Sequence, residues 1–453
     1  MSESTRQSVL FEDVFSKDVQ VAFDAEASSS DGGAVLLMAV DRRARLTELL
    51  AESLGDERQS GKVKHTVLEL VRQRVFAIAL GMADCNDAQS VAADPVMKAA
   101  CGRAPLTGAA LASQPTLSRF ENAPAAEKLV AMQRGFEKSR LDVLCRTHRK
   151  VRSVTIDMDS TDDTTHGAQQ HSLFNSFYGT WCYQTLMAFV AFDGDPEQYA
   201  VSARLRPGNA KSPRGAVPML RRIVRGLRRR MKRVRILVRL DAGFASPTVF
   251  DALERLGVDY VVGMPSNAVL NRLAEPAMMR SSVTASLTST SAQHFDDFSY
   301  AANSWKCERR VIVKAEVVVE GNRAARDNPR FVVTTLRAEP EADYTTYKGR
   351  GDSENRIKEL LLDLEMDRTS CTSFLANQLR VLFTLAAYAL YQDLRWQMRD
   401  PKRLTVASMR LRLVKIGARV TESVRRIVLH LPAAHPWKDL FLRAARAVGA
   451  SSG

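Results

Sequence analysis

The sequence predicts an α/β protein in which a mixed β-sheet core, interrupted by a β-rich insertion, lies between helical N-terminal and C-terminal regions. Three patterns in the 453 residues favour this class: helical apolar spacing near the start, strands alternating with helices after residue 150, and a Ser- and Thr-rich stretch followed by further strands. The predicted boundaries are 1–150 for the N-terminal region, 151–268 and 331–395 for the two parts of the core, 269–330 for the insertion, and 396–453 for a basic, helical C-terminal region.

The N-terminal region is predicted to be mostly helical, because LTELLAESL (46–54) and HTVLELVRQRVFAIALGM (65–82) have helical apolar spacing. Farther on, Ser118 and Arg119 lie near the start of a short helix and have side chains that can contact phosphate. Two interpretations fit: a helix-turn-helix that brings 113–121 close to DNA, or an ordinary helical hairpin.

The core is predicted from strand-like runs at 182–192, 198–207, 234–244 and 259–265, which follow a first strand containing TIDMDST. Between the last two runs, SPTVFDALERLG predicts a helix with Ser246 as N-cap, Pro247 in its first turn and Gly257 just past its end. Strands that alternate with helices in this way are typical of a mixed sheet covered by helices.

Positive charge is concentrated in one part of the chain. Lys and Arg number 65 against 51 Asp and Glu, a formal charge of +14, which favours a polyanionic partner. No acidic residue occurs in 198–240, whereas 14 Lys and Arg do. Within it, an amphipathic helix is predicted with arginines opposite its apolar face; they are Arg221, Arg222, Arg225, Arg228 and Arg229. A solvated face usually mixes charges of both signs, so this pattern favours contact with the phosphates of double-stranded DNA.

Several classes of protein are excluded. The six cysteines contain no C-x-x-C pair, which argues against a zinc module or a disulfide scaffold and favours a reducing cytosol. The first twenty residues carry acidic side chains where a signal peptide needs a basic start, and no apolar run is long enough to span a membrane. Neither a G-x-S-x-G elbow nor a P-loop is present.

Acidic residues fall where a folded sheet can gather them. Asp157 and Asp159 are two apart in a strand and therefore share a face, and Asp241 ends an apolar strand. Glu354 lies on a predicted helix (347–366), with Arg350 and Lys358 four residues to either side. Buried carboxylates repel each other unless a cation compensates them, and oxygen ligands select a hard ion such as Mg²⁺ or Mn²⁺. Two such ions can promote phosphodiester cleavage.

As an ordered set, these segments resemble the insertion-sequence DDE transposases, more narrowly their thirteen-eighty group. The motifs that carry the resemblance span most of the chain; they are LASQPTLSRFEN, TIDMDSTDDTTHG, FNSFYG, ARLRPGN, VRLDAGF, YKGRGDSENRIKELLLDL and RTSCTSFLANQLR. The resemblance implies an RNase H-like core of the retroviral-integrase superfamily, with a β-rich insertion before the catalytic Glu.

The resemblance implies that Asp159, Asp241 and Glu354 are catalytic and hold two Mg²⁺ ions, for which Mn²⁺ can substitute. Asp157 competes with Asp159 for the first position. Glu354 belongs to a Tyr, Arg, Glu and Lys signature that Tyr347 and Arg350 match. Leu361 stands where the Lys is expected, and Lys358, one turn after Glu354, is the substitute.

The implied activity is DNA transposition: binding of terminal inverted repeats, strand cleavage, and transfer of 3′-OH ends into target DNA. Tyr347, Arg350 and Lys358 would contact this DNA. Trp305 has two interpretations, stacking on a flipped base or packing in the core. We expect a homodimer on paired DNA ends, in the bacterial cytoplasm near the nucleoid and away from membranes. Two alternatives remain, an inactive DNA-binding remnant of a transposase and a basic scaffold that binds RNA.

Overall fold

The structure, a computed structural model, describes residues 8–11, 16–22, 24–25, 27–321, 323–399 and 403–451. The N-terminal stretch that argues against a signal peptide lies partly outside these residues. The chain divides into two units. The first contains the described residues of 1–43, 56–120 and 393–453, and the second contains those of 44–55 and 121–392.

Helices are present throughout both units. In chain order they are α1 (Ala34–Ala44), α2 (Leu46–Leu54), α3 (Val67–Ala79), α4 (Ala88–Val91), α5 (Pro95–Ala100), α6 (Gln114–Asn122), α7 (Ala126–Thr147), α8 (Ala216–Arg230), α9 (Pro247–Leu256), α10 (Ala268–Thr288), α11 (Pro340–Lys348), α12 (Gly351–Lys358), α13 (Phe374–Met398), α14 (Val406–Met409) and α15 (Lys438–Ala447). Shorter 3₁₀ and π-helical turns occupy Ser60–Lys62, Cys85–Asp87, Ala242–Phe244, Glu359–Asp363 and Arg410–Val414.

In the described part of the chain, strands form three sheets. In chain order they are β1 (Ser8–Phe11), β2 (Val19–Ala22), β3 (Ser28–Ser29), β4 (Ser153–Thr164), β5 (Leu173–Asn175), β6 (Thr180–Phe192), β7 (Gln198–Pro207), β8 (Arg235–Leu240), β9 (Asp259–Met264), β10 (Ala292–Tyr300), β11 (Arg309–Val318), β12 (Arg326–Asp327), β13 (Arg330–Thr334), β14 (Ala418–Glu422) and β15 (Ile427–His430). The first unit contains the antiparallel pair β1–β2 and the three-stranded sheet β15-β14-β3.

The second unit is built on a ten-stranded mixed sheet, which confirms the predicted α/β class. Its main path runs β10-β11-β13-β9-β8-β4-β6-β5, with β7 pairing with β6 and β12 with β11. The strands β4, β8 and β9 are mutually parallel neighbours, whereas β6 and β7 continue the sheet antiparallel on the other side of β4. Strand β8 therefore ends beside Met158 of β4, and β4 continues to Thr164 paired with β6.

Helix α8 packs on this sheet through the apolar face predicted from its sequence. Leu220, Ile223, Val224 and Leu227 are fully buried in the same apolar cluster as the sheet residues Val154, Val190 and Val238. Each such side chain contributes about 1.5–3 kcal/mol when it is removed from water. Apolar burial on one side thus holds the arginine-rich helix in place.

The segment predicted as a β-rich insertion begins with a helix, α10, which the Ser- and Thr-rich sequence does not indicate. The helix contains Pro276 and is held by burial of Leu270, Ala274 and Ala277 in the main apolar cluster. Its strands β10 and β11 pair, through β13, with the core strand β9, so they extend the main sheet. Packing against the sheet, which no local pattern reveals, stabilises this helix.

The terminal regions, predicted to be helical, also contain strands. In the C-terminal region, β14 and β15 form an antiparallel pair, and β3 from the N-terminal region pairs with the other side of β14. Alternate residues of β14, Ala418 and Val420, are buried, which is the period of a strand and not of a helix. The prediction of mostly helical terminal regions therefore does not extend to these segments.

Candidate active site

Two of the predicted carboxylates lie at the end of the pairing between β4 and β8, Asp159 within β4 and Asp241 just after β8. The strands are parallel neighbours with Met158 opposite Leu240, so the next residues, Asp159 and Asp241, stand at the same level. Asp241 also caps the turn Ala242–Phe244, since its Oδ1 accepts a hydrogen bond from the Gly243 amide at 3.0 Å. The strand pairing and this cap together orient Asp241 beside Asp159.

Arg350 joins Asp159 to the third predicted carboxylate, Glu354. Its Nη1 donates to Oδ2 of Asp159 at 2.7 Å, and its Nη2 donates to Oε1 of Glu354 at 2.8 Å. Arg350 lies between α11 and α12, and Glu354 follows it by four residues on α12, so one guanidinium can reach both acids. The predicted helix 347–366 is thus divided near Gly349, and that break places Arg350 over the sheet.

Electrostatic effects connect all three acids. Burial raises the pKa of Asp159 to about 6; Arg350 opposes this shift, and the charges of Asp241 and Glu354 add to it. Burial likewise raises the pKa of Asp241, against the opposing effect of Arg350. Carboxylates that repel each other around a single arginine have more negative charge than that arginine neutralises. A bound cation would therefore compensate the negative charge that Arg350 leaves unneutralised.

Asp157, the competing first ligand, is fully buried and engaged elsewhere. Its two oxygens accept hydrogen bonds at 2.7 Å from Nε and Nη2 of Arg239, and Gln198 Nε2 donates to Oδ2 at 2.9 Å. In a bidentate ion pair of this kind, both carboxylate oxygens are occupied by the arginine partner. Of the two aspartates, Asp159 is the one that reaches Arg350.

Tyr347 packs behind the carboxylates, against the end of β9. At Gly263, a Cβ atom would lie 2.6 Å from the Tyr347 hydroxyl and 2.9 Å from the Ala242 amide nitrogen. Burial raises the pKa of Tyr347, and the neighbouring charges of Asp241 and Asp159 add to this shift while Arg350 opposes it. Gly263 thus allows Tyr347 and the Asp241 turn to approach β9 closely.

Two residues near the carboxylates received no role from the sequence. Tyr178, in the FNSFYG segment, has its pKa raised to about 12, first by burial and then by the charges of Asp162, Asp159 and Asp241. Arg206, in the ARLRPGN segment, donates from Nη2 to the Ser160 hydroxyl at 2.7 Å, next to Asp159. Both segments were recognisable as motifs, but their contacts depend on strand pairing across β4, β6 and β7.

The predicted DNA-binding arginines of α8 fall into two groups. Arg221, Arg225 and Arg229 are exposed, and Arg228 is exposed with one hydrogen bond to the Gly257 carbonyl. Arg222 is different: its guanidinium makes a bidentate ion pair with Glu137 of α7, at 2.7 and 2.8 Å. This ion pair holds α8 against α7, and the phosphate contact of Arg222 stays a prediction.

Trp305 packs against other aromatic rings. Its ring centroid lies 5.1 Å from that of Phe250 and 5.4 Å from that of Tyr300, and the Arg309 guanidinium lies 4.9 Å from it. These contacts fit the packing interpretation, and because the residue is only partly buried, stacking on a flipped base stays a prediction.

Three further predicted residues lie on helices α6 and α12. Ser118 and Arg119 are on α6 in the first unit, where Arg119 is exposed and donates to the Thr116 hydroxyl at 3.4 Å. Lys358 is exposed in the last turn of α12, one turn beyond Glu354. None of these placements tests whether the residues contact DNA.

The donor set suits a hard cation, although its present geometry is that of an arginine-bound site. No group of three or more His, Cys, Asp or Glu is arranged to hold a metal ion among the residues that the structure describes. Instead, the Arg350 guanidinium lies between Asp159 and Glu354, with Asp241 adding negative charge. The three carboxylates fit Mg²⁺ or Mn²⁺ chemically, because these ions prefer oxygen ligands and the Arg350 guanidinium shows that the acids can share one positive group.

Comparison with known protein families agrees with this geometry. A family model described as "Transposase DDE domain group 1" matches residues 11–452, nearly the whole chain. The chain belongs to the DDE transposase family. This membership supports transposase activity in general and a DNA substrate, and the family typically uses divalent metal ions. No curated protein matches the sequence.

The DDE transposase family assignment confirms the broader part of the predicted resemblance. In the part of the chain that the structure describes, no helix is long and apolar enough to cross a membrane.

Proposed function

We propose that this protein is a DNA transposase that cleaves DNA at transposon ends and transfers the 3′-OH ends into target DNA. The observation that carries the proposal is the meeting of Asp159, Asp241 and Glu354 around Arg350, where the parallel pairing of β4 with β8 ends. Acidic residues gathered from three distant parts of one chain are costly unless they serve a charged ligand.

The sheet supports an RNase H-like core. An antiparallel part, β7-β6-β4, continues into the parallel strands β8 and β9, with the carboxylates on the central strands β4 and β8. The ordered motif set, from TIDMDST to YKGRGDSENR, supports placement in the thirteen-eighty group.

In the reaction, this chain supplies ligands, orientation and positive charge. Asp159, Asp241 and Glu354 would hold two Mg²⁺ ions, with Mn²⁺ as a substitute; when bound, these ions activate the attacking oxygen and stabilise the leaving oxygen. Arg350, which now donates to Asp159 and Glu354, would turn its planar donors to the scissile phosphate. Tyr347, packed against Gly263, would hold Arg350 and the DNA end in position.

Double-stranded DNA is the proposed substrate, with terminal inverted repeats as its specific sites. The exposed arginines of α8, Arg221, Arg225, Arg228 and Arg229, would contact phosphates, as would Lys358 near the carboxylates and Arg119 with Ser118 in the first unit. A homodimer would pair two ends, because strand transfer needs both. The bacterial nucleoid is the proposed location.

Cleavage of the flanking DNA tests the proposal. The purified chain is incubated with labelled duplexes that carry the two ends of its element, with Mg²⁺ or with EDTA. We expect Mg²⁺-dependent nicking that falls by about a thousandfold or more in Asp241→Asn and Glu354→Gln, because each removes a ligand charge.

The matched control is Glu341→Gln, an exposed acid in the first turn of α11 that should leave nicking unchanged. Nicking that persists in Asp241→Asn would refute the assignment of the site. Specific end binding without nicking in the unaltered chain would instead identify an inactive DNA-binding remnant.

A further inference from the structure

A cavity lies in the second unit, on the side of β7. It has a volume of about 350 Å³ and is formed by α7, β7, the turn before α8, and the start of α13. This size is at the lower end of the range for small-molecule sites. No residue of the proposed catalytic set lines it.

The cavity combines apolar walls with positive charge. Leu129, Pro207 and Leu375 contribute to its walls, while Arg204 and Arg214 contribute guanidinium groups. Both arginines are exposed, and neither has an acidic partner within the described ranges. The described residues that line the cavity include no Asp or Glu. A ligand with both an apolar body and an anionic group would match this lining.

Gln378 provides an unused donor at the cavity. Its side chain is 8% exposed, and its Oε1 accepts a hydrogen bond from the Leu205 amide at 2.8 Å. That bond fixes the orientation of the amide group, because a backbone N–H can only donate. The remaining Nε2 is buried and has no hydrogen-bond partner among the residues that the structure describes. Buried donors of this kind are rare unless a ligand or water satisfies them.

Arg206 makes its hydrogen bonds inside the protein, whereas Arg204 and Arg214 remain exposed at the cavity. It is buried, and its guanidinium donates to the carbonyls of Lys211, Ser212 and Arg214 as well as to Ser160. Burial, then the charges of Arg204 and Arg214, lower the pKa of Arg206 to about 10, so the three groups lie close enough to repel. An anion at Arg204 and Arg214 would relieve this repulsion.

Two helices also begin at the cavity. Gly215 is the N-cap of α8, and Phe374 is the first residue of α13; both line the cavity. Neither helix has an acidic residue in its first turn. The positive ends of two helix dipoles therefore add to the charge of the arginines.

We propose that this cavity binds a nucleotide unit, with its phosphate on Arg204 and Arg214, its base between the apolar walls, and a base acceptor on Gln378 Nε2. The choice of a nucleotide among amphipathic anions rests on the proposed function, because part of the cavity lining, 204–207 and 214–215, belongs to the acid-free stretch 198–240 that would contact DNA. The nucleotide is either free or part of a nucleic-acid strand. The inner wall, Arg206, contacts Ser160 beside Asp159 and connects the two sites.

Calorimetric titration in EDTA, with the full chain and no divalent metal, tests the proposal. The probes are deoxyadenosine monophosphate, deoxyadenosine, inorganic phosphate and a single-stranded oligonucleotide. We expect the monophosphate to bind about tenfold or more tightly than deoxyadenosine or phosphate, because neither fills both parts of the cavity. Equal affinity for phosphate alone would overturn the proposal, since any exposed arginine pair would produce it.

Variants locate the binding. Arg204→Gln should weaken binding of the monophosphate by about tenfold or more and leave that of deoxyadenosine unchanged. Val130→Trp should block both probes, because Val130 lines the cavity and the larger side chain would fill part of it. Since Val130 is 40% exposed, the substitution should leave the protein folded. Arg134→Gln, an exposed arginine of α7 outside the cavity, is the matched control. Nucleotide binding that survives Val130→Trp in a chain that still unfolds cooperatively would overturn the proposal.

The oligonucleotide distinguishes the two sources. If the cavity holds part of a strand, the oligonucleotide binds more tightly than the monophosphate and displaces it; if it holds a free nucleotide, the monophosphate binds at least as tightly. Either result, with sensitivity to Val130→Trp, supports the cavity. Asp241→Asn should bind these probes as the unaltered chain does. DNA cleavage that survives Asp241→Asn would refute the assignment of the catalytic site alone, whereas equal affinity for the monophosphate and for inorganic phosphate would refute this inference alone.

Discussion

The Arg350 guanidinium is the central group of the candidate site. It has a fixed, planar set of donors, and it uses two of them at once, on Asp159 at 2.7 Å and on Glu354 at 2.8 Å. A lysine at the same place would carry equal charge but could not make both hydrogen bonds in this geometry. The geometry of the donors, and not only the charge, therefore holds the two acids together.

Substitution of Arg350 by Lys tests this requirement. We expect Arg350→Lys to reduce DNA nicking by about tenfold or more, since one charge-assisted hydrogen bond contributes about 1.5–3 kcal/mol. The midpoint of urea unfolding should change little, because the charge is retained. Initial nicking rates and urea titrations are the measurements, and full activity in Arg350→Lys would mean that charge alone is sufficient.

Asp163 makes stability depend on pH in an unusual direction. Burial raises its pKa to about 8, against the opposing hydrogen bond from the Thr369 hydroxyl at 2.9 Å. Because the folded pKa lies above the unfolded value near 4, the folded state binds the proton more tightly. Asp163 therefore makes its whole contribution to the free energy of unfolding below pH 4, and this contribution is lost as pH rises towards 8.

Replacing Asp163 with Asn should remove this dependence. The amide oxygen still accepts from Thr369 but carries no charge, so the variant should lack a slope of about 1.4 kcal/mol per pH unit between pH 4 and 8. Free energies of unfolding in urea at pH 5, 6.5 and 8 provide the comparison. Parallel curves for the variant and the unaltered chain would show that Asp163 is already ionised in the fold.

At the scale of elements, α8 divides its charge between structure and surface. Arg222 pairs with Glu137 and Arg230 with Asp142, both on α7, while Arg221, Arg225 and Arg229 remain exposed. Its apolar face is buried on the sheet. The helix is therefore fixed on two sides and presents positive charge on the third.

The exposed arginines should determine how DNA binding depends on salt. In the triple variant Arg221→Gln, Arg225→Gln and Arg229→Gln, we expect weaker binding and a log–log salt slope that is less steep by about 0.9 for each lost phosphate contact. Binding isotherms with duplex DNA from low to physiological salt measure this slope. An unchanged slope would place the phosphate contacts elsewhere, and Arg134→Gln serves as the control for charge alone.

The end of β9 controls how closely α11 approaches the carboxylates. In Gly263→Ala, the new Cβ would meet the Tyr347 hydroxyl and the Ala242 amide nitrogen at 2.6 and 2.9 Å. Because the second contact is with the backbone, the Asp241 turn must shift. We expect nicking to fall by about tenfold or more with a folded chain, since small misplacements of catalytic groups have large effects on rate. Nicking rates and circular dichroism together check this outcome. Normal rates would show that the Asp241 turn can shift without an effect on catalysis.

For the whole molecule, the charge of +14 sets the conditions for assembly. Chains of one sign repel each other, which opposes self-association without a polyanion, and DNA removes that repulsion. We expect a monomer in the absence of DNA and two copies on a DNA that pairs two ends. Analytical ultracentrifugation with and without such DNA measures this, and a monomer on paired ends would contradict the proposed dimer.

The sequence by itself determined the α/β class, most core strands, helix α8, and the spacing that lets Asp159, Asp241, Glu354 and Arg350 be selected. These features follow from local periodicity, capping residues and short motifs, which act over a few residues. Even there, a local signal has limits. Ser246 begins α9 as predicted, but its side chain makes no capping hydrogen bond.

Only the tertiary structure decided how residues with equivalent local patterns differ in role. Asp157 and Asp159 share a strand face, yet Arg239 engages the first and Arg350 the second. Arg221 and Arg222 are neighbours on α8, and of these two, Arg222 is the one that pairs with Glu137 of α7. Helix α10 and the strand β14 also depend on partners far along the chain. The physical reason is that burial and ion pairing are set by what packs alongside, and that information is not local in the sequence.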